Sequence, residues 1–129
     1  MIQVYETDMM GIVHHSNYIR FFEEARVAWF VSQGLMDNSV MSVSSLTVVS
    51  VDVRYLAPLK YGDQINIEVQ LRTQGVRIFI QYKLFNQDRK LCATGQSIHC
   101  SVDKNLKLIR LDEKLVKKIK ETSWIETWL

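Results

Sequence analysis

The chain has 129 residues, of which 47% are hydrophobic and 23% charged, and its formal net charge at pH 7 is +2. This length corresponds to one domain, residues 1–129, which is large enough to bury a core of its own. The small net charge argues against a nucleic-acid-binding protein but permits an anionic small-molecule ligand. We find no apolar run of membrane-spanning length and no secretory leader, so we expect no membrane insertion.

The two cysteines, Cys92 and Cys100, lie in one predicted strand. At ~3.4 Å per residue they are about 27 Å apart, too far for a disulfide within the chain. Free thiols together with the missing leader predict a cytoplasmic protein.

The N-terminal part of the chain predicts a short strand over residues 1–5 and a loop from Glu6 to Val13. From Ser16 the apolar residues follow helical spacing, and Gly34 is a natural stop, so we predict a long helix over residues 16–33. The apolar positions of this helix are Tyr18, Phe21, Phe22, Ala25, Ala28 and Trp29. Residues 35–45 show no clear period and are predicted to form a loop.

Alternation of apolar and polar residues then predicts strands. The predicted strands cover residues 49–55, 65–71, 76–84 and 91–102. Polar turns at residues 73–75 and 86–90 link the last three as hairpins, which indicates an antiparallel sheet with one face covered by the long helix. Leu111, Leu115 and Ile119 predict an amphipathic C-terminal helix, and Trp124 and Trp128 a packed aromatic tail.

The segment directly before the long helix combines an acidic residue, a glycine and two histidines: Asp8, Gly11, His14 and His15. The N-terminus of a helix exposes unpaired backbone N–H groups with partial positive charge. Such groups can polarise a carbonyl while a nearby carboxylate acts on it. The spacing is therefore compatible with a hydrolytic site at this corner, in which His14 is expected to point away from His15.

The string Tyr5-x-Thr7-Asp8-x-x-Gly11-x-Val13-x-His15-x-Asn17-Tyr18, followed by Phe22-Glu23-Glu24-Ala25-Arg26, resembles the hotdog-fold acyl-CoA thioesterases of the 4-hydroxybenzoyl-CoA thioesterase type, bacterial short-chain branch. Weaker similar segments extend the resemblance to about residue 105. The resemblance implies an α+β hotdog fold, in which a curved antiparallel sheet of about five strands wraps around one long central helix, plus a C-terminal helix.

The same resemblance implies hydrolysis of acyl-CoA thioesters to free acid and CoA. Asp8 matches the catalytic carboxylate, acting as nucleophile or general base, and both roles need the same geometry. His15 matches the residue that opens the central helix and polarises the thioester carbonyl through its backbone N–H; its ring is catalytic or orients the substrate. The residues expected to bind the substrate are Gly11, Val13, Tyr18, Phe22, Val49 and Ser50.

Because the chain lacks a phosphate-binding loop motif, surface cations near the strand ends are the candidates for binding the CoA phosphates. These candidates are Lys60, Arg77, Arg89 and Lys90. We expect no cofactor and no metal, since adjacent histidines rarely bind one ion. Glu23 and Glu24 are alternative catalytic residues, although their spacing to Arg20 and Arg26 favours ion pairs.

The resemblance also implies a homodimer that assembles further into a tetramer, with active sites at the subunit interface. Its substrate would be a thioester of CoA or of acyl carrier protein, with the acyl chain unspecified. The alternative function is a non-catalytic hotdog module that binds or senses acyl-CoA or acyl carrier protein.

Overall fold

The computed structural model describes residues 1–7, 12–37, 40–41 and 45–129. A 3-10 helix at Val4–Glu6 is its first element. The remaining elements, in chain order, are α1 (Ser16–Ser32), β1 (Met36–Asp37), β2 (Val40–Met41), β3 (Ser45–Tyr55), β4 (Asn66–Gln74), β5 (Arg77–Phe85), β6 (Leu91–Val102), β7 (Leu108–Ile109) and α2 (Glu113–Lys120). Within these described ranges, neither α1 nor α2 is long and apolar enough to cross a membrane.

The main sheet has five strands in the order β3-β6-β5-β4, with β7 paired to the end of β6, and all neighbours are antiparallel. The predicted antiparallel sheet of about five strands with two helices is confirmed. Gly75 has a positive φ of 60°, which the tight turn between β4 and β5 requires and which glycine adopts without steric cost. The two edges of the sheet are β3 and β4.

Helix α1 ends where the sequence predicts, because Gly34 adopts a left-handed conformation with φ of 72°. Two reverse hydrogen bonds close the end, from the Leu35 N–H to the Phe30 carbonyl (2.9 Å) and from the Gly34 N–H to the Val31 carbonyl (3.1 Å). They satisfy carbonyls that a helix end otherwise leaves unpaired. Leu35 is fully buried, so this cap also anchors the end of α1 in the core.

The predicted strand over residues 1–5 is wrong. The Glu6 carboxylate accepts a hydrogen bond from the Gln3 N–H (2.8 Å), and the Glu6 N–H donates to the Gln3 carbonyl (3.1 Å). These local bonds favour one helical turn over an extended chain. Only Thr7 pairs as a strand residue, in an isolated antiparallel bridge with Val13.

The predicted loop over residues 35–45 is also wrong in part, since the two-residue strands β1 and β2 pair antiparallel within it. β3 begins at residue 45 rather than 49, and β4 and β5 extend to residues 74 and 85. The short strand β7 was not predicted at all. The last two residues of β6 pair with β7, which supplies an edge contact that a two-residue sequence pattern is too short to reveal.

The core lies between α1 and one face of the sheet. Phe21, Phe22 and Phe30 of α1 are buried, and in β5 every second residue is buried, so that Ile80 and Tyr82 face the helix. The rings of Phe22 and Tyr82 stack with centroids 4.6 Å apart and 12° between their planes. Leu115 and Ile119 of α2 join the same hydrophobic cluster.

The C-terminal segment, residues 121–129, runs across the opposite face of the sheet. Gln70 binds both backbone groups of Ile125, donating to its carbonyl and accepting from its N–H (3.1 Å each). A row of side-chain amide bonds continues across the strands from Gln70 to Gln81 (2.6 Å) and from Gln81 to Gln96 (2.9 Å). Together with α2, this segment packs against β4, whereas the described side chains of β3 are exposed or only half-buried.

Candidate active site

The chain on either side of the predicted catalytic loop is held in place by backbone pairing. Thr7 and Val13 form an antiparallel bridge, Ile12 pairs with Lys60, and the Val13 N–H donates to the Leu59 carbonyl (2.7 Å). Bridge partners lie about 4.5–5.5 Å apart, so both ends of the loop meet beside the start of α1. Asp8 and Gly11 themselves fall outside the described residues, and their roles stay predictions.

A buried carboxylate that the sequence analysis missed, that of Glu6, ties this loop to α1. Glu6 forms an ion pair with Arg20 on α1, and only 4% of the surface of Glu6 is exposed. The Glu6 carbonyl accepts hydrogen bonds from the His14 N–H and from Asn17 Nδ2, both at 2.9 Å. The Gln3-x-x-Glu6 spacing of a capping box was the signal that could have identified it.

The first turn of α1 is capped by the side chain of His14. Its Nδ1 accepts a hydrogen bond from the Ser16 N–H (3.2 Å) and lies 2.9 Å from the Ser16 hydroxyl oxygen. The ring lies against that of His15, with centroids 4.1 Å apart and a tilt of 32° between the planes. The expectation that His14 points away from His15 is therefore wrong, because the cap draws both rings to the same corner.

The His15 backbone N–H differs from the N–H groups that follow it. Asn17 and Tyr18 donate to the carbonyls of His14 (3.0 Å) and His15 (3.3 Å), and Ser16 donates to the His14 ring. Among the residues that the structure describes, none accepts a hydrogen bond from the His15 N–H. An amide that finds no acceptor among the described residues, next to an exposed imidazole, can donate to an external oxygen.

Two tyrosines form the wall beside this amide. The Tyr55 hydroxyl donates to the His15 carbonyl (3.3 Å), and the Tyr55 and Tyr18 rings meet edge to face with centroids 4.9 Å apart. Burial raises the pKa of Tyr18, and the nearby Cys92 and Tyr55 raise it further. A hydrogen bond with the Leu59 backbone lowers the pKa but does not cancel this rise. Tyr18 therefore stays neutral at physiological pH, and both side chains of the wall are aromatic.

The predicted substrate-binding residues divide into two groups in a single chain. Val13, Tyr18 and Phe22 are buried in the core, whereas Val49 and Ser50 are exposed on the edge strand β3. The register of β3 with β6 shifts between Val48 and Ser50, which marks a bulge there. Tyr18 contacts Tyr55, which in turn contacts His15. Phe22 instead lies between α1 and the sheet, where its ring stacks on Tyr82.

The four candidate CoA-phosphate residues do not form one cluster. Lys60 and Lys90 line one cavity of about 360 Å³ near the predicted catalytic loop. Arg89 forms an ion pair with Glu68 (3.1 Å) and covers the Phe85 ring. Arg77 is the first residue of β5, whereas the other three candidates lie near the far end of that strand. At ~3.4 Å per residue, the two ends of β5 are about 27 Å apart.

The remaining acidic and histidine residues fit structural roles. Glu24 pairs with Arg20 (2.9 Å), as the helical spacing predicted. His99 is buried, and its Nε2 lies 2.7 Å from the Ser97 hydroxyl oxygen. Burial, reinforced by the charge of Arg26, lowers the pKa of His99 to about 4. Within the described ranges, no three His, Cys, Asp or Glu side chains group together as metal ligands.

Comparison with known proteins gives a consistent picture. The family model of the thioesterase-like superfamily matches residues 2–121. The chain is 30% identical over 132 residues to a 1,4-dihydroxy-2-naphthoyl-CoA hydrolase of Prochlorococcus marinus, covering 96% of this chain and 87% of that protein. It is 26% identical over 129 residues to the acyl-CoA thioester hydrolase YbgC of Escherichia coli O157:H7, covering 93% of each.

Among solved structures, a 1,4-dihydroxy-2-naphthoyl-CoA thioesterase from Synechocystis superposes with a TM-score of 0.85 at 20% identity. The superposition covers 94% of this chain and 92% of that one. At 20% identity, this structural similarity supports the fold alone.

Proposed function

Because the chain belongs to the thioesterase-like superfamily, we propose that it hydrolyses acyl-CoA thioesters to a free acid and CoA. The family predicted from the N-terminal string is confirmed by the match over residues 2–121. The names of two relatives, a 1,4-dihydroxy-2-naphthoyl-CoA hydrolase and an acyl-CoA thioester hydrolase, support CoA thioesters as the substrate class. We also infer that the sheet curves around α1 as in other hotdog proteins.

The single observation that carries the mechanism is the His15 N–H, for which the described residues provide no acceptor. It stands at the positive end of α1, beside the Thr7–Val13 bridge from which the Asp8 loop emerges. In the proposed reaction this N–H donates to the thioester oxygen as negative charge develops there. Removal of one such donor typically lowers turnover by ~10²–10³.

Asp8 completes the reaction in one of two ways. As a nucleophile, its carboxylate attacks the carbonyl carbon, the C–S bond breaks and CoA leaves as the thiol after taking a proton; water then hydrolyses the mixed anhydride. As a general base, Asp8 takes a proton from a water molecule that attacks the same carbon. Both routes consume one water and release one acid and one thiol. The neighbouring His15 ring orients the substrate or the water.

We propose a homodimer as the minimal active unit, formed through the β3 edge. Val48, Val49 and Val51 are exposed on this strand, and unpaired strand edges with apolar side chains are a ready template for pairing with another chain. The opposite edge, β4, is shielded by α2 and the C-terminal segment. Pairing at β3 would bring Val49 and Ser50 of one subunit to the interface where the family places its active sites, and further pairing would give the tetramer.

The Lys60 and Lys90 cavity is the better candidate for the CoA phosphates, because Lys60 pairs through its backbone with Ile12 next to the catalytic loop. Arg89 is engaged with Glu68 and Arg77 lies at the other end of the strand. We therefore assign the phosphate contacts to the two lysines. Replacing both with glutamine is expected to raise KM for an acyl-CoA but not for the corresponding acyl-pantetheine, which lacks the nucleotide.

The deciding experiment measures thiol release by the wild type and by Asp8→Asn across short, long and aromatic acyl-CoAs. We expect Asp8→Asn to lose at least ~10² in kcat, since it removes the carboxylate on which both routes depend. Glu126→Gln, which neutralises an exposed carboxylate in the C-terminal segment, is the matched control and should retain activity. Hydrolysis by Asp8→Asn at the wild-type rate would falsify the mechanism. Calorimetric binding of acyl-CoA without thiol release would favour the sensing module instead.

A further inference from the structure

A cavity of about 400 Å³ lies on the face of the sheet that is turned away from α1. Its floor includes Asp52 and Arg54 of β3 and Gln96 of β6, the register partner of Asp52. Gly95 meets Phe22 of α1, so the next residue, Gln96, points to the opposite face. Three leucines contribute apolar walls: Leu56, Leu91 and Leu129.

The C-terminal segment crosses this face strand by strand and reaches the cavity at Leu129. The Arg72 guanidinium of β4 lies over the Trp124 ring, with 5.0 Å between its central carbon and the ring centroid. Lys83 Nζ of β5 lies 4.5 Å from the centroid of Trp128. Leu129 then lines the cavity beside β6 and β3. The segment therefore adds an apolar wall to a polar floor.

The row of side-chain amides fixes which atom of Gln96 remains available. Gln70 accepts from the Ile125 N–H, and its Nε2 donates to the Ile125 carbonyl and to Gln81 Oε1. Gln81 Nε2 in turn donates to Gln96 Oε1. The Gln96 Nε2 group is left as a donor without an acceptor in the part of the chain that the structure describes. It is not one of the buried unpartnered atoms there, so it is open to a ligand.

The polar groups of the floor match the edge of an adenine base. Because Asp52 and Gln96 are register partners, a carboxylate acceptor stands beside the amide donor. No ion pair formed within the described ranges includes Asp52 or Arg54. Adenine presents the complementary pair, a ring-nitrogen acceptor next to an amino donor. Its flat faces suit the leucine walls and a stacked guanidinium group, and about 400 Å³ is within the usual range of small-molecule sites.

The cavity also adjoins the proposed phosphate site. Leu56 and Leu91 line the cavity described here, and their chain neighbours Ala57 and Lys90 line the phosphate site. The Leu56 and Ala57 N–H groups both donate to the Cys92 carbonyl (2.9 and 3.1 Å), which holds the two segments side by side. A nucleotide with its phosphates in one cavity can therefore place its base in the other.

We propose that this cavity binds the adenine base of CoA. Gln96 Nε2 donates to a ring nitrogen, Asp52 accepts from the amino group, and the Arg54 guanidinium stacks on the ring. The inference rests on the proposed function, because it takes an acyl-CoA as the substrate and Lys60 and Lys90 as the phosphate site. The thioester itself stays at the His15 corner, so the base contributes to binding rather than to the chemical step.

Calorimetric titration of the full chain with adenosine 3′,5′-bisphosphate tests the site without any thioester. We expect saturable binding that CoA displaces. Gln96→Glu keeps an acceptor for Gln81 but removes the donor, and should weaken binding by at least about fivefold, the effect of losing one hydrogen bond. Gln74→Glu adds the same charge on β4, where the side chain still accepts from Arg72, and should bind as the wild type does.

Arg54→Gln is a second test, because Arg54 is exposed and its replacement leaves the core intact. It should also weaken binding of the bisphosphate, whereas Arg110→Gln, which changes an exposed arginine between β7 and α2, should not. The absence of binding by the wild type, or undiminished binding in both Gln96→Glu and Arg54→Gln, would overturn the proposal.

Kinetics separate this inference from the proposed function. In the wild type, kcat/KM should be higher for an acyl-CoA than for the same acyl-phosphopantetheine, which lacks the nucleoside. The ratio of the two values should fall by about fivefold or more in Gln96→Glu and stay unchanged in Gln74→Glu. Equal values in the wild type would refute the adenine site and leave the thioesterase function standing. Specific binding of the bisphosphate by a chain that hydrolyses neither substrate would support the site and refute the proposed function.

Discussion

The Phe22 ring lies directly on Gly95, so closely that a Cβ atom added to the glycine would be 2.5 Å from Phe22 Cε2 and 3.1 Å from the Asp52 carbonyl oxygen. Gly95 belongs to β6 at the centre of the sheet, and the contact lets α1 approach the strands. A side chain at this position would push the helix away from the sheet or displace the stacked Phe22 and Tyr82 rings. The glycine at this position of β6 thus has a packing reason.

We predict that Gly95→Ala lowers the free energy of unfolding by about 1–3 kcal/mol, the usual effect of overpacking a core. Urea denaturation measures the change. Phe22→Leu in the same chain relieves the clash, so the double variant should lose less than the sum of the two single variants. If the two changes in the free energy of unfolding were strictly additive, the contact between Phe22 and residue 95 would not be the cause of the lost stability.

The ion pair between Arg20 and Glu6 is predicted to stabilise the start of α1 and the adjoining loop. Arg20→Gln leaves the Glu6 carboxylate buried without its cation, which should cost about 1–3 kcal/mol. Glu24→Gln removes only the exposed partner of Arg20 and should cost less than ~0.5 kcal/mol. Unfolding in urea gives both values, and thiol release shows whether kcat falls in Arg20→Gln alone. Equal effects of the two substitutions would contradict the role given to Glu6.

The buried His99 predicts a specific pH dependence of stability. Its pKa is lowered to about 4, whereas histidine in an unfolded chain titrates near 6.5. Between these values the unfolded state binds more protons, so stability falls as the pH drops from about 6.5 to about 4. The full loss is on the order of 3 kcal/mol. It is absent above pH 6.5, where both states are neutral.

Urea denaturation of the wild type and of His99→Gln at intervals between pH 4 and pH 7 checks this dependence. The variant keeps a polar partner for Ser97 but removes the titrating ring, so its stability should fall less over the interval. Parallel curves for the two proteins would exclude His99 as the source.

A lysine on the β3 edge should block the proposed dimer. Val51→Lys places a charge in the interface, which disfavours pairing between edge strands. We expect a monomer in sedimentation velocity and a large loss of thioesterase activity. Leu108→Lys changes a more exposed apolar residue on β7 and serves as the control that keeps the wild-type assembly. An active, dimeric Val51→Lys protein would exclude this interface.

The sequence by itself determined the long elements and the family. Apolar spacing gave α1 to within one residue because Gly34 supplies the left-handed cap. Alternation of apolar and polar residues gave the four long strands, most clearly β5, in which every second residue is buried. The string from Tyr5 to Tyr18 was specific enough to identify the thioesterase family. Such signals are local, since each depends on residues that are neighbours in the chain.

Only the tertiary structure decided the contacts between distant segments. The Glu6–Arg20 ion pair joins residues on either side of the predicted catalytic loop. Arg77 and Lys60 are both cations near strand ends in the sequence, but Arg77 lies at the end of β5 that is far from Lys60. The position of Trp124 against Arg72 depends on the chain turning around the β4 edge after α2. These pairings arise from the packing of whole elements, a global property that no short window of sequence contains.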